Sequence, residues 1–391
     1  MAVRRDVFGK HMLVERAGDT WQAYLPGANG KRSPELLARN FRFVLAALMI
    51  AMATPTHCAE EALEPVYDAA LAGDGVKALA ALSKIDVNLL DSKEASRATC
   101  IRDALLAPPQ QETLPPISNS ILLAYRTYWQ ESMMRRATHD EAEARLKYRL
   151  DAILAASNRA RASSNSLDIA SERAKQAVEH NGLFALTGVT SPYYELAIWK
   201  AQSRHTYTVE LHDRRVKTQV VFLDDFVSFG WAGFATCNRY HTAGWATQTA
   251  LFAVKSAYDL ETEDFRVSYL AHESRHFSDY RRFPKLEQPE LEYRAKLTEL
   301  SLAEQSAHSL IATFARRAGR DRSSPHDFAN YWVSKNLSKF LFKSDVPIDD
   351  ASLWEGIPAQ DIRNAAKQLL ASNDARLIRE GPKSVKRFLG N

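Results

Sequence analysis

Residues 272–276 read His-Glu-Ser-Arg-His, which is the H-E-x-x-H pattern. On an α-helix, His272 and His276 are about one turn apart and project from the same face, so both imidazoles can bind one metal ion. Glu273 lies beside them and can act as general base towards a metal-activated water. The pattern therefore predicts a helical metal site with hydrolysis as its chemistry. Its structural alternative is a solvated helix face that carries two ordinary histidines.

A catalytic zinc ion usually has three protein ligands and keeps one position for water. The segment 290–304, ELEYRAKLTELSLAE, follows the motif and is predicted to be helical. Its Glu292 and Glu299 are seven residues apart and share one helix face, so either can supply the third ligand. Asp279, one turn after His276, is a further candidate for a ligand or for an acceptor beside one. A solvent-exposed acid near the helix end is the alternative for Asp279.

This arrangement resembles the zincin metallopeptidases of the gluzincin type, over residues 205–305. In that group a second helix supplies a glutamate as third zinc ligand, often within an E-x-x-A-D run. Residues 292–296, Glu-Tyr-Arg-Ala-Lys, match that run except at Lys296, where the group often has an aspartate that orients the first histidine. The resemblance implies a zinc-dependent peptidase that hydrolyses a peptide or amide bond with Glu273 as general base. The zinc ligands that it implies are His272, His276 and Glu292.

Hydrolysis also requires a partner for the oxyanion that develops on the substrate carbonyl. The candidates are Tyr240, His241 and His308, each of which can equally have a structural role. A di-iron carboxylate site would need an E-x-x-H segment on each of two helices, and the sequence holds only one, at residues 273–276. The remaining alternative is a non-catalytic metal-binding or protein-interaction protein with a degenerate zincin domain.

Residues 43–53, FVLAALMIAMA, form an uncharged apolar run after Arg39 and Arg42. A basic segment, an apolar run of about ten residues and a small-residue exit are typical of a signal peptide. The run is shorter than the ~20 apolar residues of a transmembrane helix. We therefore predict an exported protein, periplasmic or secreted, that meets a membrane only through an uncleaved leader, if at all. In such a compartment Cys100 and Cys237 can form one disulfide, with two buried thiols as the alternative.

The net charge of +4 does not indicate a nucleic-acid surface. Residues 1–59 carry eight basic and four acidic side chains, which leaves 43 of each among residues 60–391. The excess of positive charge therefore belongs to the leader, and we predict a peptide or protein substrate and no nucleic-acid partner.

The elements that must position the motif predict an α+β fold that is mainly helical. Residues 60–185 have helical periodicity and are predicted to be an all-α N-terminal region, after the 1–59 leader. Residues 186–318 are predicted to be a zincin-like region with a small antiparallel sheet, and residues 319–391 to be C-terminal helices packed on it. The predicted strands are 206–212, 217–223 and 248–258, and the predicted helices after them are 262–280, 289–317, 325–340 and 358–371.

Overall fold

The computed structural model describes the following parts of the chain: residues 12–17, 20–23, 62–157, 163–247, 250–343 and 351–390. From residue 62 onward, these residues divide into two compact units. The helical unit contains residues 62–201 and 224–242, and the motif unit contains residues 202–223 and 243–390. No helix within the described segments is long and apolar enough to cross a membrane. The predicted signal-peptide run lies outside the described residues.

The helical unit is built mainly from six helices. They are α1 (Glu64–Leu71), α2 (Gly75–Leu82), α3 (Ser92–Leu106), α4 (Pro116–Met133), α5 (His139–Ala156) and α6 (Leu167–Glu179). Thr138 and Glu141 form a capping box at the start of α5, and the Ser166 side chain caps α6, which satisfies N–H groups that have no partner within a helix. The apolar stripes of these helices form one buried core. This part of the chain is helical up to Glu179, as its periodicity predicts.

Seven strands are described. They are β1 (Met12–Ala17), β2 (Thr20–Ala23), β3 (Phe184–Thr190), β4 (Tyr193–Leu211), β5 (Arg214–Phe229), β6 (Gly244–Ala246) and β7 (Leu251–Val254), in the order β2-β1-β6-β7-β5-β4-β3. Strands β3 and β4 pair antiparallel, as do β6 and β7, whereas β5 and β7 pair in parallel. The sheet is therefore mixed, and the antiparallel sheet that we predicted is wrong in this respect. The physical reason is that the connection from β5 to β7, which includes a short helix, α7 (Gly230–Thr236), and β6, is long enough to return the chain beside residues 220–223 of β5 in the same direction.

The long hairpin of β4 and β5 explains why the units differ from the predicted sequential regions. Both strands extend well beyond the predicted 206–212 and 217–223, and each runs through both units. The segment 224–242 therefore belongs to the helical unit, although it follows the start of the predicted zincin-like region. The C-terminal helices belong to the same unit as the H-E-x-x-H motif.

The motif unit carries a π-helical segment and five α-helices. They are the π segment (Asp264–Ala271), α8 (His272–Arg282), α9 (Gln288–Leu302), α10 (Ala307–Arg316), α11 (Pro325–Phe342) and α12 (Ala359–Glu380). The helix predicted over 289–317 is thus two helices. The carboxylate of Glu263 accepts the backbone N–H groups of Gln305 and Ser306 at 2.9 and 2.8 Å. These bonds hold the two residues that precede α10 and place a negative charge near its N-terminus, where a carboxylate is stabilising.

Helix α9 is buried on every side, which is unusual for a segment with so many charged residues. Every residue from Pro289 to Ser301 is buried, and α9 packs against α8, α11 and α12. Buried charges are costly unless each is paired. The ionised side chains of α9 must therefore find partners on the neighbouring helices, and those partners build the site described next.

Candidate metal centre

Three buried side chains of the motif unit converge on one point. His272 and His276 project from the first turns of α8, and Glu292 projects from α9. Each offers one ligand atom, and these atoms lie within 4.8 Å of one another. The two histidines are 2% exposed and Glu292 is 1% exposed. Among the described residues, this is the group whose donor atoms could hold a metal ion.

The spacing of the donor atoms fits a single small cation. The two Nε2 atoms of His272 and His276 are 3.1 Å apart, and they lie 3.5 and 3.4 Å from the carboxylate oxygens of Glu292. Ligands about 2.1 Å from a tetrahedral zinc ion are separated by about 3.4 Å. The 3.5 Å distance of His272 is to Oε2 of Glu292 and the 3.4 Å distance of His276 is to Oε1, so both carboxylate oxygens face the histidine pair at about that spacing. Without a cation, two imidazole nitrogens would face each other beside a desolvated carboxylate. The donor set of two nitrogens and one oxygen suits zinc.

Glu299, the competing third ligand, lies on the other side of the first histidine. Its Oε1 is 2.6 Å from Nδ1 of His272, whereas Nε2 of that ring faces Glu292. Burial alone would lower the pKa of His272, but the carboxylates of Glu299, Glu292 and Glu273, with Glu299 foremost, together outweigh it and raise that pKa above its usual value. Such an acceptor fixes the tautomer and the orientation of a ligating imidazole. Lys296, the residue at which the resemblance to the E-x-x-A-D run ends, lies with its Nζ 4.5 Å from the centroid of the Phe314 ring.

Replacing Glu299 with Gln is expected to weaken zinc binding by about 10- to 100-fold, because the neutral amide holds His272 less firmly and makes it a weaker base. The dissociation constant can be measured by competition with a chromogenic chelator. Glu304→Gln, an exposed glutamate of the same unit, is the matched control and should bind zinc like the unaltered chain. Equal affinity in both variants would show that Glu299 does not support the metal.

Glu273, the predicted general base, is itself buried, with 2% of its surface exposed. Burial raises the pKa of its carboxyl above 4.5, and the neighbouring Glu292 carboxylate raises it further, while His272 and His276 act in the opposite direction. A carboxylate with a raised pKa is a better proton acceptor near neutral pH. The environment of Glu273 is therefore chemically suited to general-base catalysis.

The structure places Asp279 away from the three-residue group and inside an ion-pair network. Asp279 has no exposed surface, and its two carboxylate oxygens lie 2.6 and 3.0 Å from the Arg294 guanidinium. It is therefore neither the metal ligand nor the solvent-exposed acid that the sequence suggested. The reason is that Asp279 leaves α8 towards α9, where Arg294 requires a buried counter-charge.

Asp279 belongs to a closed ring of alternating aspartate and arginine side chains. Its members, in order, are Asp213, Arg275, Asp279, Arg294, Asp374 and Arg282. Neighbouring members approach to between 2.6 and 3.9 Å. The ring joins the turn between β4 and β5 to α8, α9 and α12. Because Arg275 lies between the two histidines in sequence, this Asp–Arg ring fixes the rotation of the helix that presents them.

None of the three predicted oxyanion partners has a contact that marks it for that role. Tyr240 lies in the helical unit and donates its hydroxyl hydrogen to Glu64. His241, also in the helical unit, stacks on Phe229 with ring centroids 4.0 Å apart. His308 is exposed, and its Nε2 lies 2.7 Å from the carbonyl oxygen of Ile357. Each contact is of the structural kind that was the alternative prediction for that residue.

The sequence analysis missed His326, which the fold brings to the metal centre. His326 is the second residue of α11, and its Nδ1 lies 2.9 Å from Oε2 of Glu292. Burial alone would raise the pKa of Glu292, but His326 and His276 outweigh it and hold that pKa well below 4.5. The only signal in the sequence is the helix start at Ser324 and Pro325, which does not indicate a ligand.

The two cysteines predicted as a possible pair are joined in the structure. Cys100 of α3 and Cys237, the residue after α7, form a disulfide with an S–S distance of 1.99 Å. Both residues lie in the helical unit. The bond therefore ties α3 to the segment that follows β5.

Comparisons with known proteins give one local match. Residues 2–38 match a family described as a domain of unknown function (DUF7661). No curated protein and no solved structure matches the chain. The match covers a small part of the chain and does not include the metal centre, so the case for function depends on the site itself.

Proposed function

We propose that this chain is a zinc-dependent peptidase that hydrolyses a peptide or amide bond in an exported compartment. The observation that carries the proposal is the convergence of two imidazole nitrogens, 3.1 Å apart, on one buried carboxylate, whose two oxygens lie 3.4 and 3.5 Å from them. The carboxyl of Glu273 beside this group supports hydrolysis in particular, since a metal site alone would not require it.

In this proposal three side chains bind the metal, a fourth orients one of these ligands, and a fifth transfers a proton. His272, His276 and Glu292 would hold the zinc ion, and Glu299 orients His272 through its Nδ1. The bound ion supplies a Lewis acid that makes water a stronger nucleophile at neutral pH. The Glu273 carboxylate accepts the proton of the attacking water and donates it to the leaving amine.

The zincin-like arrangement is part of the same proposal. Helix α8 carries the H-E-x-x-H motif and the next helix, α9, carries the glutamate, as in the gluzincins that the sequence resembles. Strand β7 precedes the motif and lies between β5 and β6. It is therefore an inner strand, so an extended substrate would need to pair with another strand or bind without strand pairing.

An exported, periplasmic or secreted, location has two independent supports. Residues 43–53 have the pattern of a signal peptide in the sequence. The Cys100–Cys237 disulfide is of a kind that persists in oxidising compartments and is rare in reducing ones.

A non-catalytic metal protein is the second candidate, and the burial of the site is the observation that favours it. All three ligands and Glu273 are at most 2% exposed. Structural zinc sites are closed, whereas a catalytic site must admit water and substrate. The two candidates agree on the metal and differ on Glu273, so they need separate tests.

The test of the metal centre is the zinc content of the full chain, purified without added metal and measured by elemental analysis. We expect about one zinc per chain, and less than a tenth of that in His272→Ala, because removing one of three ligands exposes the ion to exchange. His308→Ala, which changes an exposed histidine of the same unit, is the control and should keep its zinc. A chain that takes up no zinc even after incubation with the ion would overturn the proposal.

A further inference from the structure

Among the polar residues described at the site, His326 has the largest solvent-exposed fraction. Its side chain is 17% exposed, whereas the Glu292 side chain beside it is 2% exposed. The start of α11 holds it in place: Pro325 is one of the first two helical residues, and Oγ of Ser324 donates to Asp327 at 2.6 Å. His326 therefore lies between the buried ligands and the outside of the motif unit, on a rigid helix start.

The Glu292 carboxylate needs a second partner if one of its oxygens binds a metal. A buried carboxylate has two oxygens, and an unsatisfied one costs about 1–3 kcal/mol or more. Both oxygens of Glu292 face the histidine pair: Oε1 lies 3.4 Å from Nε2 of His276, and Oε2 lies 3.5 Å from Nε2 of His272. Oε2 lies 2.9 Å from Nδ1 of His326. The imidazole of His326 is thus the described group that contacts this carboxylate from outside the ligand set, at ion-pair distance and without the alignment of a hydrogen bond.

Direct ligation by His326 is less well supported than this supporting role. The atoms that share one compact donor cluster come from His272, His276 and Glu292, and His326 is not among them. A fourth protein ligand would also fill the position that a catalytic zinc ion keeps for water. The geometry therefore favours a contact to the carboxylate over a contact to the ion.

We propose that His326 is a positioning residue whose Nδ1, 2.9 Å from Oε2 of Glu292, pairs with this carboxylate and so holds it towards the metal. The inference rests on the proposed metal site and adds a residue to it that lies 34 positions beyond Glu292 in the sequence. It mirrors the role of Glu299, so that a carboxylate supports the first histidine and an imidazole supports the glutamate.

Two substitutions at His326 test this role in the full-length chain. In His326→Asn the amide nitrogen can occupy about the place of Nδ1 and donate, whereas His326→Leu keeps a similar bulk without a donor. We expect His326→Leu to raise the zinc dissociation constant by about 10- to 100-fold and His326→Asn to stay within about threefold of the unaltered chain. Competition with a chromogenic chelator gives the constants. Thermal melting of the zinc-free proteins checks that both variants fold alike.

The visible spectrum of the cobalt-substituted protein separates positioning from ligation. If His326 only positions Glu292, cobalt bound to His326→Leu should absorb at the same wavelengths as in the unaltered chain. A shifted spectrum of cobalt bound to His326→Leu, recorded at a cobalt concentration that saturates the variant, would make His326 a direct ligand and overturn the positioning role. Equal zinc affinity in His326→Leu and the unaltered chain would also overturn it, while leaving the proposed function intact. Absence of zinc from the unaltered chain would instead overturn both proposals.

Discussion

Glu273→Gln is expected to keep about one zinc per chain and to lose peptide hydrolysis. Glutamine has nearly the same shape as glutamate but cannot accept a proton from water. General-base catalysis contributes about 10²- to 10⁴-fold to a rate, so the turnover number should fall by a factor within that range. Because Glu273 is adjacent to His272 without belonging to the ligand group, the metal content should not change.

Cleavage of a peptide library, followed by mass spectrometry, measures the turnover of this variant on many candidate substrates at once. Glu304→Gln is the matched control, since it makes the same chemical change at an exposed position of the motif unit. If zinc-loaded Glu273→Gln cleaves peptides as fast as the zinc-loaded unaltered chain, Glu273 is not the general base. Zinc-loaded chain that cleaves nothing would favour the closed, non-catalytic site.

The local features of the motif helix could be predicted from the sequence because they depend on helical spacing. His272 and His276 lie on one face of α8, as the four-residue interval requires. The start of the helix was less predictable, because the residues before His272 form a π segment. A π turn depends on packing around it and has no simple sequence pattern.

The choice between Glu292 and Glu299 could not be made from spacing, since both lie on the same face of α9. The structure separates them by the nitrogen of His272 that each one faces: Glu292 lies near Nε2, and Glu299 lies at Nδ1. Which nitrogen a carboxylate meets depends on the rotation and the distance of α8 relative to α9. That geometry is set by tertiary packing, which a single sequence does not reveal.

The roles of Asp279 and His326 also depend on packing between helices. A charged residue near a helix end is usually solvated, so the sequence favours exposure for Asp279. Asp279 is buried as a result of the packing among α9, α11 and α12. A buried carboxylate is tolerated there only because Arg294 is buried with it. Long-range pairs of this kind carry no local periodicity, and the sequence alone could not assign them.

The Asp–Arg ring links the stability of the motif unit to the placement of the proposed metal ligands. Arg294 has no exposed surface, and besides Asp279 it donates to Asn373 at 2.5 Å and to Asp374 at 2.6 Å. It thereby joins α9, which carries Glu292, to α8 and α12. A loss of Arg294 should therefore affect both folding and zinc binding.

Arg294→Met is expected to lower the free energy of unfolding of the zinc-free chain by about 3–5 kcal/mol, measured by urea denaturation. The reason is that Asp279 would remain buried with its nearest remaining cation, Arg275, at 3.9 Å, and an uncompensated buried charge carries a penalty of that size. Arg282→Met is the matched control. Arg282 belongs to the same ring but its side chain is 22% exposed, so its loss should cost about 1 kcal/mol or less.

Combining Arg294→Met with Asp279→Leu distinguishes a buried-charge penalty from a loss of packing. If the penalty comes from the unpaired Asp279 carboxylate, removing that carboxylate should recover much of the stability, since an apolar pair can replace a buried ion pair at little cost. If the double variant loses as much free energy of unfolding as the two single variants together, the two side chains do not act as a pair. Zinc affinity should remain weakened in the double variant even if its stability recovers. An apolar contact fixes the rotation of α8 less firmly than an ion pair in which both carboxylate oxygens accept from the guanidinium. Recovery of stability together with full zinc affinity would show that the ring stabilises the fold without positioning the metal ligands.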